Sequence, residues 1–143
     1  MRLFLICFII PWMGWLTIHL PEPAGYLQVE VAGLKNHTGQ VLIAIVTEDQ
    51  YQDDQAVGFG GRIPVSQSNQ IVFLSTGIQP GAYAVKVFHD VNSNGQLDFN
   101  LLGIPREPYG FSNNARGRFG PPDFKDAAVQ IPENDTLRIR IDL

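Results

Sequence analysis

From residue 26 onward the apolar side chains recur at every second position, a period typical of β-strands rather than of helices. In "YLQVEVAGL", Leu27, Val29 and Val31 alternate with Gln28 and Glu30, which predicts a strand with one buried face. "VLIAIV" is apolar throughout, which predicts a central strand. "QIVFLS" and "AYAVKVFH" predict two more strands. "AAVQI" and "TLRIRIDL" predict a closing hairpin through the turn "PEND".

About seven short strands and the lack of a helix-length amphipathic run predict an all-β domain over residues 25–143. The expected architecture is a single antiparallel β-sandwich of immunoglobulin-like or prealbumin-like type. Alternation places the following residues in its core: Val29, Val31, Val41, Ile43, Ile45, Val72, Tyr83, Val85, Val87, Ile139 and Ile141.

Residues 1–24 form a segment of another kind. One positive charge at Arg2 precedes an apolar run over residues 3–20, and Ala24 and Gly25 follow, which is the order of a secretory signal peptide. The run is also long enough for an uncleaved membrane anchor. Both alternatives predict an exported domain, periplasmic or extracellular, that contacts a membrane only if this segment is retained.

Charge and cysteine content remove several function classes. The formal net charge is −4 and the ten Lys and Arg residues are scattered, so we expect no nucleic-acid partner. Cys7, the only cysteine, lies in the apolar leader. The remaining chain therefore has no internal disulfide, metal thiolate or cysteine nucleophile.

The stretch "HDVNSNGQLDFN", directly after a predicted strand, carries oxygen-bearing side chains at alternate positions around Gly95. Ca²⁺ prefers six to eight oxygen ligands, and a glycine permits the sharp turn that lets alternate side chains point inward. The predicted metal ligands are Asp90, Asn92, Asn94, Gln96 through its backbone carbonyl, and Asp98. The spacing matches the first half of an EF-hand loop.

The match ends at the twelfth position, where Leu101 replaces the bidentate Glu of an EF-hand. Glu107, Asp123 and Asp126 are candidates for the missing carboxylate. With two charged ligands in the loop, we expect weak Ca²⁺ binding, with a Kd of about 10⁻⁴ to 10⁻³ M. The alternative is an ordinary turn, because Asn, Asp, Ser and Gly also dominate turns.

The segment that follows, residues 101–126, has no hydrophobic period and is rich in Gly, Pro, Asn and aromatic residues. Long segments of this kind tend to be functional, so residues 90–126 are predicted to form one long functional loop. Its predicted ligand-binding residues are Glu107, Tyr109, Phe111 and Phe119. For the arginines of this segment, Arg106, Arg116 and Arg118, we expect ion pairs with Glu107, Asp123 and Asp126, and the alternative is that they bind an anionic group.

The residue before the loop, His89, shares the inward parity of Tyr83, Val85 and Val87, which predicts a structural, hydrogen-bonded histidine. An alternative interpretation places it in a metal-assisted hydrolase site. That site would use His89, Asp90, Glu107 and Asp123 around a catalytic ion with an open coordination position.

The runs "HDVNSNGQLDFN", "YGFSNN" and "FGPPDF" together resemble the bacterial domain-of-unknown-function family 2141. The resemblance extends from about residue 25 to the C-terminus. It implies an exported bacterial protein with a β-sandwich domain, and the family brings no established activity. The preferred hypothesis is a non-catalytic module in which a Ca²⁺ loop orders the aromatic segment. Its expected partner is a cell-envelope glycan, peptide or protein.

Overall fold

A computed structural model describes residues 23–53, 59–66 and 68–143. The strands are β1 (Gly25–Ala32), β2 (Gln40–Val46), β3 (Phe59–Pro64), β4 (Gln70–Ile78), β5 (Gly81–Asp90), β6 (Tyr109–Phe111), β7 (Val129–Ile131) and β8 (Thr136–Asp142). A 3₁₀ turn spans Ser112–Asn114, and one short helix, α1, spans Phe124–Ala127. Of the predicted leader, residues 1–22 lie outside the described residues. Within the described ranges, no helix is long and apolar enough to cross a membrane.

The described strands form two sheets. In the first sheet β1 lies between β4, to which it is antiparallel, and β8, to which it is parallel. The second sheet has the order β3-β2-β5-β6, with all pairs antiparallel, and β7 pairs with the first residues of β5. The prediction of an all-β sandwich is confirmed, with eight strands in the described ranges instead of about seven.

One apolar core joins the two sheets. Val29 and Val31 of β1 and Val41, Ile45 and Val85 of the second sheet all have no exposed surface and belong to a single cluster. Because side chains alternate between the two faces of a strand, the residues between them point away from this core. The central position predicted for "VLIAIV" is also confirmed, since β2 is paired on both edges.

Two residues of the predicted core are not buried. Val72 is 54% exposed, and Ile139 is only partly buried at the edge of the cluster. In β4 the inward positions are Ile71 and Phe73, while Val72 and Leu74 face outward. This strand carries apolar side chains on both faces, so alternation could not identify the buried face.

The predicted closing hairpin is wrong. β7 pairs with β5, whereas β8 lies in the other sheet and runs parallel to β1. The turn "PEND" therefore carries the chain from one sheet to the other, and the sandwich is not wholly antiparallel. The true partners of these strands are distant in sequence, so a local turn signal could not reveal them.

The later part of the predicted long loop, residues 101–126, contains regular structure. This segment contains β6, the 3₁₀ turn and the start of α1, and it packs on the outer face of the second sheet. Ala84 lies on the opposite face of β5 from Val85 and therefore outside the main core. The second apolar cluster consists of Val46, Tyr51, Ala84, Phe111 and Ala127. The aromatic residues of the segment thus help to cover a face of the sheet.

Tyr51 holds the far end of this segment. Its hydroxyl donates a hydrogen bond to the Pro122 carbonyl oxygen at 2.9 Å, and its ring packs edge-on against Phe124 at 5.5 Å between centroids. Burial, followed by the nearby carboxylates of Asp123 and Asp126, raises the pKa of Tyr51 to about 12. The hydroxyl therefore remains a hydrogen-bond donor at neutral pH.

Candidate functional site

The loop from residue 90 to residue 98 leaves the end of β5 and folds around the buried carboxylate of Asp90. Oδ2 of Asp90 accepts hydrogen bonds from Gln40 Nε2 and from the Gly95 backbone N–H, both at 2.7 Å. Oδ1 accepts the Asn94 backbone N–H at 3.1 Å. Gly95 has φ +79°, a conformation that favours glycine and that turns the chain back toward Asp90.

Asp90 has no exposed surface, yet it is held as an anion. Burial by itself acts to raise its pKa, but hydrogen bonds from the Gln40 side chain and from the backbone of Gly95, Asn94 and Ser93 outweigh burial. The net result is a pKa of Asp90 below its ordinary value. The first residue of the loop is therefore a charged anchor for the loop backbone.

The other side chains predicted as ligands also converge. Asp98 accepts a hydrogen bond from Asn92 Nδ2 at 2.7 Å and one from Asn94 Nδ2 at 3.2 Å. The amide oxygen of Asn92 accepts the Asn94 backbone N–H at 3.0 Å, and that of Asn94 accepts the Gln96 N–H at 2.8 Å. The loop thus contains two successive turns, capped by the Asn92 and Asn94 side chains. Both asparagines also bond to the Asp98 carboxylate.

Glu107 lies outside the loop and accepts hydrogen bonds from the backbone at both of its ends. Its Oε1 accepts the Val91 backbone N–H at 2.8 Å and its Oε2 accepts the Asp98 backbone N–H at 3.2 Å. The residue is only 8% exposed. Of the three carboxylates considered for completing the loop, Glu107 is the one that binds both of its ends. Both of its carboxylate oxygens thus brace the loop, and its role in ligand contact stays a prediction.

Between Asp98 and Glu107 the chain forms a small hairpin, residues 99–105, which we call the apolar hairpin. The Arg106 N–H donates to the Asp98 carbonyl oxygen at 2.8 Å, and the Asn100 N–H donates to the Ile104 carbonyl oxygen at 2.9 Å. Its exposed apolar side chains are Phe99 (55%), Leu101 (106%), Leu102 (82%) and Ile104 (55%). The sequence interpretation missed this surface, although "LLGI" inside an otherwise polar loop was a signal for it.

The predicted contact residues of the following segment have different environments. Tyr109 is 42% exposed and Phe119 is 98% exposed, so both are available to a partner. Phe111 is buried, and its ring packs 6.4 Å from that of Tyr51 and 6.1 Å from that of Tyr109. The structure therefore assigns Phe111 to the second cluster, and its role as a contact residue stays a prediction.

The "FSNN" run joins three parts of the fold. Ser112 Oγ accepts the Val85 N–H at 2.9 Å and donates to the Ala127 carbonyl oxygen. Asn113 Nδ2 donates to the Ala128 carbonyl oxygen at 2.9 Å, and Asn114 Oδ1 accepts the Asp142 N–H at 2.9 Å. Both asparagines have positive φ, which Asn tolerates better than most residues. This run therefore serves packing between elements.

A scan against family models matches residues 29–140 to the family described as "Uncharacterized protein conserved in bacteria (DUF2141)". The chain belongs to this family. No curated protein and no solved structure matches it. The residues that carry the DUF2141 resemblance in the first run, among them Asp90, Asn92, Asn94 and Asp98, are the ones whose hydrogen bonds close the loop.

The hydrolase constellation is not assembled in this DUF2141 domain. His89 is fully buried, and its Nε2 donates to the Thr38 carbonyl oxygen at 2.8 Å, as expected for a structural histidine. The Asp123 side chain is 76% exposed and pairs with Lys125 at 3.5 Å. Within the described part of the chain, no three His, Cys, Asp or Glu side chains are grouped so that they could hold a metal ion. A cation in the loop would therefore need amide and backbone carbonyl oxygens for most of its ligands.

The predicted ion pairs of the arginines are also wrong. Arg106, Arg116 and Arg118 make no ion pair with any residue in the described ranges, and Asp123 pairs with Lys125 instead. Glu107 is engaged by two backbone amides. Proximity in sequence therefore did not bring these opposite charges together.

Proposed function

We propose that this DUF2141 domain is an exported, non-catalytic binding module whose loop 90–98 orders the neighbouring segment for contact with an envelope partner. The observation that carries the proposal is the brace at Glu107. One buried carboxylate binds the N–H groups of Val91 and Asp98, which lie on the two sides of the loop, and the apolar hairpin lies between Asp98 and Glu107. An ordered loop therefore fixes the position of the exposed apolar hairpin.

The surface offered to the partner consists of the apolar hairpin together with Tyr109 and Phe119. Contiguous exposed apolar side chains are typical of interaction sites, and an aromatic residue with a polar tip suits a wet contact. The partner is a glycan, peptide or protein of the cell envelope. Nucleic acid is a poor partner because the net charge is −4.

The position of this surface in the sandwich fits an exported, N-terminally tethered chain. Gly25 pairs with Ile78, and Gly81 pairs with Ile131, so these residues lie at one end of the sandwich. Asp90 ends β5 at the opposite end. An apolar leader retained as an anchor would present the hairpin away from the membrane, and a cleaved signal would leave it equally accessible.

Calcium is the proposed ion of the loop. Asp90 and Asp98 supply two carboxylates, Asn92 and Asn94 supply amide oxygens, and Gln96 would add its backbone carbonyl. Ca²⁺ accepts such mixed oxygen ligands at low affinity. Its binding would require the two asparagine amides to leave the Asp98 carboxylate and turn their oxygens to the ion, while Glu107 keeps its hydrogen bonds from the Val91 and Asp98 N–H groups.

We expect Ca²⁺ to stabilise the folded domain. For about 1 mM Ca²⁺ and a Kd of about 0.1 mM, binding to the folded state alone adds about 1.4 kcal/mol, a rise of several degrees in Tm. The measurement is thermal unfolding with Ca²⁺ and with chelator, supported by calorimetric titration against Ca²⁺, Mg²⁺ and Zn²⁺. Asp98→Asn should abolish the shift, whereas Asp135→Asn, at the opposite end of the sandwich, should keep it. Equal Tm values with Ca²⁺ and chelator would remove the ion from the proposal.

We expect Glu107→Gln to loosen the apolar hairpin. The glutamine can accept one of the two backbone N–H groups, but its amide nitrogen then faces the other, at a cost of about 1 to 2 kcal/mol. Amide hydrogen exchange over residues 99–105 and tryptic cleavage after Arg106 should both become faster. Glu133→Gln, in the exposed turn between β7 and β8, is the matched control. Unchanged exchange in Glu107→Gln would show that the loop does not order the hairpin, and the proposed function would fail.

A further inference from the structure

An open cavity of about 480 Å³, exposed to solvent along most of its rim, lies at the base of the apolar hairpin, between the loop and β6. Lys35, Asn36, Arg106, Glu107, Tyr109 and Arg116 contribute to its walls. These residues come from three separate parts of the chain: the turn after β1, the end of the hairpin, and β6 with the stretch that follows it. The volume falls in the range of small-molecule sites, which is about 300 to 1,000 Å³.

The cationic residues of this cavity have no partner of opposite charge. Lys35, Arg106 and Arg116 make no ion pair with any group in the described ranges, although the chain as a whole carries a net charge of −4. Glu107 contributes a carboxylate to the wall, but both of its oxygens accept hydrogen bonds from the backbone N–H groups of Val91 and Asp98. Three cationic residues thus line one cavity and are available to an anion.

The uncharged groups of the cavity indicate what the anion is attached to. The Tyr109 ring is 42% exposed and is steadied by edge-on packing against Phe111 at 6.1 Å. A fixed aromatic face with a hydroxyl at its tip packs against the apolar face of a sugar ring and hydrogen-bonds its hydroxyls. The Asn36 amide nitrogen adds a donor, whereas its oxygen already accepts hydrogen bonds from the Thr38 N–H and hydroxyl groups. This lining suits a ring with many hydroxyls rather than an apolar ligand.

We propose that this cavity binds an acidic sugar, with the carboxylate or phosphate oxyanion held by Arg106, Arg116 and Lys35 and the ring placed on Tyr109. Guanidinium groups bind oxyanions through two parallel hydrogen bonds, which gives direction as well as charge recognition. The inference rests on the proposed binding function and names the ligand class of that site. In this site Glu107 would position the adjacent Arg106 as well as the apolar hairpin.

The test is calorimetric titration of the purified full chain with trigalacturonate, with its fully methyl-esterified form, with glucose 6-phosphate and with inorganic phosphate. We expect the acidic trisaccharide or the sugar phosphate to bind, the methyl ester not to bind, and inorganic phosphate to bind at least tenfold more weakly than the better sugar. Which of the two sugars binds more tightly identifies the oxyanion. Arg106→Gln and Arg116→Gln should each weaken binding at least tenfold, and Tyr109→Ala should do so without changing the salt dependence.

Arg138→Gln, which removes the same charge from β8 outside this cavity, should leave the affinity unchanged. Equal binding of the acidic and esterified sugars, or full affinity in both arginine variants, would overturn the acidic-sugar site while leaving a glycan-binding module in place. Binding of none of the four probes would also overturn it. The proposed function is judged separately, by hydrogen exchange in Glu107→Gln, so the two can fail independently.

Discussion

Replacing Asp90 by alanine is expected to lower the free energy of unfolding by about 3 kcal/mol, enough to lower Tm by roughly 10 °C in a domain of this size. The carboxylate is fully buried and accepts the Gln40 amide and the N–H groups of Asn94 and Gly95. Alanine leaves these donors without their acceptor at the end of β5. Urea unfolding followed by circular dichroism at pH 7 measures the loss.

The same residue predicts a pH dependence. The pKa of Asp90 is lowered in the folded state, so its ionised form stabilises the fold. This contribution is complete above the unfolded-state pKa of about 3.9 and is lost as the pH falls through the lower folded-state value. Asp90→Asn has no such group to protonate. The stability difference between the wild type and Asp90→Asn should therefore be largest at pH 7 and shrink below about pH 4.

Asp135→Asn serves as the control for that comparison, because Asp135 lies in the exposed turn at the other end of the sandwich. A difference between wild type and Asp90→Asn that stays constant from pH 7 to acid would contradict the argument. It would mean that the shape of the Asp90 side chain, and not its charge, holds the loop. The hydrogen bonds from three backbone amides make that outcome unexpected.

The inward faces of most strands could be predicted from the sequence because a period of two identifies them directly. Val29 and Val31 illustrate this, since polar neighbours mark the opposite face. Val72 shows the limit: where both faces of β4 are apolar, the pattern carries no information about which one is buried. The pairing of β8 with β1 was equally hidden, because parallel partners more than 100 residues apart leave no local signature.

The structure of the loop 90–98 could likewise be predicted from the sequence only in part. The spacing of Asp90, Asn92, Asn94 and Asp98 predicted that these side chains converge, and they do so through hydrogen bonds among themselves. The spacing could not choose Glu107 over Asp123 or Asp126 as the closing carboxylate, because that choice depends on how the hairpin folds back. The exposed apolar hairpin was missed for a related reason. Apolar residues normally indicate burial, and only the fold shows that the side chains of this hairpin are exposed.

Replacing Gly39 by alanine is expected to destabilise the domain by about 3 kcal/mol, through a clash at the start of the loop. Gly39 has φ +80°, and an added Cβ would overlap the Asp90 carbonyl oxygen and lie 2.7 Å from Cα of Val91. The left-handed conformation itself costs about 1 to 2 kcal/mol for alanine, and displacement of the backbone accounts for the rest. That backbone cannot move freely because Asp90 is buried and pairs with Gln40 of β2.

Gly103→Ala separates these two contributions. Gly103 has φ +74°, nearly the same conformation, but an added Cβ there meets nothing within 4 Å. Its variant should lose only the conformational part, about 1 to 2 kcal/mol, by the same urea unfolding measurement. Gly39→Ala should in addition speed hydrogen exchange over residues 99–105, since it shifts Asp90 and Val91, from which Glu107 braces the hairpin. Equal losses in the two variants, with unchanged exchange in Gly39→Ala, would mean that the close approach of Gly39 to Asp90 does not support the loop.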